Sequence, residues 1–246
     1  MTAKKLTQYS SSQKSKMFEQ FKTMLKTIRP LLEEKYGVKE KSMFQQHALT
    51  DFHDRIVPNI PFIGGRANPY TTYLEQTAMA LALYHTIQEW GGTLEQAAEL
   101  IYKGMLLVAS KYPKPLLHIY GKWANSKFQY PRMRREARIS QRREYAADWV
   151  YDFIEGEDQK FDYGIDMYEC GILKFLTDQG AVELLPYLCA VDYITYHAMG
   201  IELQRTETLA AGCARCNFRF LVSGNPLNPS WPPVFPEREN RSSVPG

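Results

Sequence analysis

Four cysteines, at 170, 189, 213 and 216, crowd into the last third of the sequence and share it with carboxylates and arginines. Cys213 and Cys216 make a C-x-x-C pair, the spacing of a zinc site or a redox dithiol. A structural zinc needs a second such pair, but Cys170 and Cys189 stand in separate elements, so Glu169, Asp192 or His197 would have to complete a mixed site. Glu169 and Cys170 adjoin on an expected strand and so point to opposite faces. The redox use requires the pair at a helix N-terminus, whereas here it falls in a hairpin turn. Cys189 offers nucleophilic chemistry instead. On a helix it shares a side with Asp192 and Tyr193, three and four residues on. A carboxylate beside a thiol raises the thiol's pKa, so Asp192 serves to orient a base or to protonate a leaving group. Arg205, Arg215 and Arg219 follow closely enough to hold a substrate carboxylate. Taken singly, each cysteine is better read as a small buried residue.

The elements that must position these groups run from Phe161 to Leu221. Phe161–Tyr168 reads as a strand, with aromatics and Ile set among Asp and Gly. Ile172–Met199 has apolar residues at helical spacing, interrupted near Gly180 and Pro186, which predicts two short helices. Ile201–Leu209 and Asn217–Val222 alternate as strands, and Gly212 marks the turn between them. The fold class is therefore α+β: a helical N-terminal two-thirds packed on a small antiparallel sheet, within a C-terminal strand–helix–helix–hairpin unit. A small-molecule cavity is expected between sheet and helices, within reach of Cys170, Cys189 and Cys216.

The chain has 246 residues, 44% of them apolar and 13% aromatic, which suits a globular fold with a sizeable core. A net charge of +3 gives no broad footprint for nucleic acid and no strong attraction to a membrane. No apolar run is long enough to span a bilayer. The first residues are polar and lack a secretory apolar region, so a cytoplasmic protein with reduced thiols is expected. Residues 1–16 are expected to be disordered, 17–224 to form one globular domain, and 225–246 to be a Pro-rich tail.

Along the chain, Phe18, Phe21, Leu25, Ile28, Leu31 and Leu32 mark a helix face that Pro30 should kink or split and Gly37 should end. His47 and His53 are six apart and form no ready metal pair. The stretch PNIPFIGGRANPYTT is an ordered turn in which Asn68 or Thr71 can cap the next helix. Its Gly-Gly-Arg run can bind an anion through backbone N–H groups and Arg66, or simply be a tight connection. Six arginines between 132 and 143, interleaved with Glu136, read as the solvated side of a long helix whose end gains an apolar side from Asp148, Trp149, Val150 and Phe153.

The segments IPFIGGRANPYT, LALYHTIQEWGGTLEQAAELIY, DWVYDFIEG, FDYGIDMYECGILKFLTDQGAVELLPYLCAVDY and GIELQRTETLAAG–CARCNFRF, in that order, resemble the L-2-amino-thiazoline-4-carboxylic acid hydrolase family. The resemblance places Glu169, Cys170, Cys189, Asp192, Arg205, Thr206, Cys216, Phe218 and Phe220 on the family's pattern. Arg66 stands where a lysine is usual, Asn217 where an aspartate is usual, and Cys213 is additional. It implies ring opening of an aminothiazoline carboxylate to a carbamoyl-cysteine, or hydrolysis of a related small cyclic C–N compound. Such an enzyme needs a carboxylate clamp, an acid and a nucleophile or activated water. Arg66, Asn68, Arg205, Thr206 and Arg219 would bind substrate, and Cys189, Cys170, Glu169, Asp192 and Cys216 would carry the chemistry. The resemblance fixes no cofactor, and a divalent metal such as zinc or manganese is compatible with the chemistry. The expected partner is a small-molecule substrate, with homo-oligomerisation left open.

The same unit is also similar to vinyl-reductase-like small-molecule sensor domains, in which cysteines and a glutamate hold zinc beside a ligand cavity. On that resemblance Cys170, Cys189, Cys216 and Glu169 would be the metal ligands of a non-catalytic binding domain.

Overall fold

The computed structural model describes residues 8–157 and 160–233, and the expectations for residues 1–7 and 234–246 lie outside the described residues. Helix α1 (Ser11–Thr27) starts before the first apolar position because Ser10 and Gln13 form a capping box. Pro30 then sits in the first turn of α2 (Arg29–Asp51), so the chain splits into two helices there. Gly37 breaks the helix as the sequence predicts, so α2 is two helical stretches joined at a kink. The glycine takes φ 82° and ψ 173°, outside the helical region, and helix resumes on its far side. A π-turn and a short 3₁₀ turn lead into the Gly-Gly-Arg loop, where Gly64 and Gly65 both have positive φ.

Helices α3 (Thr71–Glu89) and α4 (Leu94–Ser110) complete the helical layer. Asn68 tightens the turn before α3 by accepting from the Tyr70 N–H at 2.9 Å, and Thr71 donates to the Gly65 carbonyl at 2.6 Å. Thr93 and Gln96 form a second capping box on α4. Two shorter helices follow, α5 (Lys114–Ala124) and α6 (Tyr130–Ser140).

The sheet has four strands in the order β1-β2-β4-β3, each pair antiparallel: β1 Val150–Glu157, β2 Phe161–Glu169, β3 Glu202–Gln204 and β4 Cys216–Leu221. Between β2 and β3 lie α7 (Gly171–Asp178) and α8 (Leu185–Met199), divided at Gly180 (φ 67°) as the spacing predicts. The architecture is α+β with a mostly helical N-terminal region and the sheet in the C-terminal part.

Three expectations are corrected. The arginine-rich segment is not one long helix, since α6 stops at Ser140 and Val150–Glu157 is an edge strand. The third strand ends at Gln204, because Arg205 turns inward and Thr206 and Glu207 bond the Asn217 side chain. Cys216 is the first residue of β4 and lies outside the turn.

Pleating sorts the site residues. Cys216, Phe218 and Phe220 alternate with Asn217 and Arg219 along β4, and Gly164 and Asp166 pair with Arg219 and Asn217. One face packs Tyr163, Met167, Cys216 and Phe220 into the core, and Arg219 belongs to the other.

Candidate active site

Cys170, Cys189 and Cys216 come together from three elements. Cys170 precedes α7, Cys189 is on α8, and Cys216 opens β4. Burial pushes the Cys189 thiol well above its ordinary range; Arg205 pulls it back, while Asp192, Cys170 and Cys216 push it further. Cys216 is pushed up to about 12 by burial, against the N–H of Leu209, which donates to its Sγ at 3.2 Å. Burial also raises Cys170, opposed by the backbone N–H groups of Leu173 and Ile172 at the start of α7. These thiols are therefore neutral at physiological pH.

Arg205 is the hinge of the cluster. Its side chain is 1% exposed and donates through Nη1 to Asp192 Oδ2 at 2.8 Å and through Nη2 to the Cys189 carbonyl at 3.1 Å. The guanidinium lies over the rings of Phe218 and Tyr193, at 5.1 and 5.3 Å. Asp192 keeps 31% of its side chain accessible, and Cys189, Cys170, Tyr70 and Tyr196 are also partly exposed. Desolvation nevertheless dominates all four of the latter groups. We refer to this partly accessible cluster of Cys170, Cys189, Asp192, Tyr70 and Tyr196 as the crevice.

Three tyrosines, Tyr70, Tyr73 and Tyr196, belong to the same neighbourhood. Burial raises Tyr70 and Tyr196 far above the usual phenol range; Tyr151 adds to the first, and Tyr163, Tyr73 and Asp192 to the second. Tyr73 is pushed up to about 12 by burial and then by Asp192. Neutral phenols are hydrogen-bond donors, so Tyr73 and Tyr196 bring O–H groups near the Asp192 carboxylate. The cysteine spacing gave no hint of these phenols. Their signal was Tyr70 and Tyr73, three apart at a helix start and so on one side of it.

Trp149 lines a cavity of about 480 Å³ together with Asn68, Tyr70, Arg135, Asp148 and Tyr151 among others. Its ring stacks on Tyr70 at 4.8 Å, and its indole reaches the Cys170 thiol. No cysteine lines this cavity. Asp148, raised by burial, is fixed there by Asn68 Nδ2 at 2.9 Å.

The remaining expected site residues lie elsewhere. Glu169 accepts from Lys174 at 2.6 Å and Arg143 at 2.7 Å, hydrogen bonds that hold its carboxyl below the usual range and commit both of its oxygens to cations. Arg219 donates to Asp166 at 2.7 Å on the sheet face opposite Cys216. Arg66 is exposed near Glu75. Thr206 is paired with Asn217, whose Nδ2 donates to Thr206 Oγ1 at 2.8 Å while its Oδ1 accepts the N–H groups of Thr206 and Glu207. The set Cys170, Cys189, Cys216 and Glu169 therefore does not assemble as metal ligands. Among the described residues, no three His, Cys, Asp or Glu side chains are arranged to hold a metal ion.

The family described as L-2-amino-thiazoline-4-carboxylic acid hydrolase matches residues 72–220, more than half of the chain. The chain belongs to that family. The match spans all of the crevice residues except Tyr70, and its two ends fall in α3 and β4. No curated protein and no solved structure matches the chain. Membership of the aminothiazoline-carboxylate hydrolases points to a hydrolase with a small-molecule substrate. No helix among the described residues is long and apolar enough to cross a membrane.

Proposed function

We propose that this chain hydrolyses a small cyclic C–N compound bearing a carboxylate, an aminothiazoline carboxylate or a related amidine or lactam. The supporting observation is the placement of Cys189 and Asp192 one turn apart on α8, both partly accessible and tied together by Arg205. Burial and the Asp192 charge keep the thiol protonated, so no thiolate forms beforehand, and Asp192 takes a role other than the one expected from the sequence: it accepts the thiol proton only as the S–C bond forms and hands it to the leaving sulfur.

For an aminothiazoline the steps are as follows. Cys189 Sγ bonds to the amidine carbon as its proton passes to Asp192. The bond from that carbon to the ring sulfur breaks, and the departing sulfur takes the proton from Asp192. Water then adds to the enzyme-bound carbon, releases the thiol and leaves a carbamoyl product. Tyr73 and Tyr196 donate to the substrate carboxylate within the positive field of Arg205.

A second reading has Asp192 activating water directly, and the raised thiol pKa values favour it. The test is turnover of aminothiazoline carboxylate by the purified chain, with mass spectrometry of quenched reactions. An adduct on Cys189 and loss of turnover in Cys189→Ser support covalent attack. Full turnover in Cys189→Ser with loss in Asp192→Asn supports activated water. Tight binding without turnover across a heterocycle panel overturns the hydrolase proposal in favour of a binding module.

A further inference from the structure

The whole-chain charge of +3 conceals a local imbalance. Between Glu99 and Glu136 there is no acidic residue, while Lys103, Lys111, Lys114, Lys122, Lys127, Arg132, Arg134 and Arg135 all fall in that stretch. It also contains α5, the helix least covered by the rest of the protein. Leu116, Ile119, Tyr120 and Trp123 are 63, 67, 51 and 58% exposed, and Phe128 in the following turn is 92% exposed. The four helical positions follow the i, i+3, i+4, i+7 pattern of a single apolar stripe.

The stripe points away from the protein. The packed side of α5 is the one carrying Gly121, where a Cβ would come within 2.4 Å of the Met199 carbonyl at the end of α8. Leu116, Ile119 and Trp123 follow at other angles around the helix. An apolar stripe beside unpaired lysines is the pattern of a helix that lies flat in a lipid interface. Among the described residues, Lys122 on α5 and Lys127 in the following turn have no carboxylate partner. Of the acidic residues lining the same hollow as Lys127, Glu155 pairs with Arg134, Glu157 pairs with Lys160, and Asp162 accepts the Val222 N–H.

We propose that α5 and the turn through Phe128 dock on an anionic lipid surface, the stripe entering the headgroup boundary and the lysines meeting the phosphates. Charge complementarity selects this occupant. A second copy of the same face would set lysine against lysine with no acid between them. The docked face would also adjoin the crevice, since Tyr120 lies near enough to Tyr73 to raise its pKa. This inference is independent of which bond the crevice cleaves.

The test is sedimentation of the full chain with vesicles of phosphatidylcholine alone and of phosphatidylcholine with one-third phosphatidylglycerol. The expected result is binding to the anionic vesicles only, at least tenfold weaker in high salt. Leu116→Ser with Ile119→Ser, and Lys122→Glu with Lys127→Glu, should each lower the bound fraction at least tenfold while leaving the melting curve unchanged, because all four side chains are exposed. Absence of binding, or equal binding to both vesicle types, overturns the proposal. So does a dimer in solution that the Leu116→Ser, Ile119→Ser pair dissociates, which would assign the face to a second copy.

Discussion

Arg205 Nη1 lies 2.8 Å from Asp192 Oδ2, and this contact joins the segment after β3 to the middle of α8. The pair is asymmetric: the guanidinium is 1% exposed and the carboxylate 31%. Arg205 is therefore committed to its place by burial and stacking, whereas Asp192 retains access to whatever occupies the crevice. A buried arginine so placed works as a positioning group, setting the Asp192 carboxylate and the Cys189 carbonyl at fixed distances.

Removing that charge while keeping bulk should be costly. Arg205→Met leaves Asp192 without this partner, and a broken buried pair costs about 3–5 kcal/mol, less where one partner is partly solvated. A loss of about 2 kcal/mol is expected in urea unfolding, with Arg205→Lys recovering part of it. A loss under about 0.5 kcal/mol would mean that the contact is incidental.

The buried thiols should be chemically quiet. With Cys216 pushed up to about 12, its thiolate fraction at pH 8 is on the order of a thousandfold below that of a free cysteine. Iodoacetamide should label Cys216 and Cys189 far more slowly in the folded protein than in urea, read by peptide mass spectrometry. Equal rates in the two states would show that burial does not hold these thiols protonated.

Gly171 controls the spacing between α7 and Trp149. A Cβ at this position would sit 2.5 Å from both the Ala147 carbonyl and the Trp149 ring. Overpacking of this kind costs about 1–3 kcal/mol. Gly171→Ala should lower stability by that amount and should also change the exposure of Cys170 next to it. A neutral substitution would imply that α7 moves freely against the tryptophan.

The helix pair α7–α8 and the strands β2 and β4 were legible in the sequence, because their periods differ and Gly180 and Pro186 punctuate them. β1 was not. It is an edge strand in which Val150 and Tyr151 are both buried and the acidic end is exposed, so it lacks clean alternation and continues the charge pattern of α6. The Cys189–Asp192 relationship followed from helical spacing alone. The fates of Glu169 and Arg219 depended on long-range partners. Arg143 reaches Glu169 from a residue with φ 48°, and Asp166 takes Arg219 across the sheet, and no local pattern encodes either contact.

Glu169 supplies a pH prediction. Hydrogen bonds from Lys174 and then Arg143 depress its folded pKa, so the carboxylate form is favoured by folding. That stabilisation is present above the unfolded glutamate value of about 4.3 and is lost as pH falls through the lower folded value. Glu169→Gln should therefore cost up to about 1 kcal/mol at pH 7 and progressively less below pH 4. A difference that grows on acidification would contradict the sign.

The most informative kinetic comparison sets the crevice against the cavity lined by Trp149. If the reaction occurs in the crevice, Asp192→Asn should lower kcat and kcat/KM together by at least a hundredfold, because the proton transfer it performs exists only on the way to the transition state. Asp148→Asn keeps a side chain of the same shape beside Asn68 and changes only the cavity. It should leave kcat within about threefold, with any effect confined to KM. The reverse pattern, an inactive Asp148→Asn and an active Asp192→Asn, would move the chemistry to the cavity and reduce the thiols to core packing.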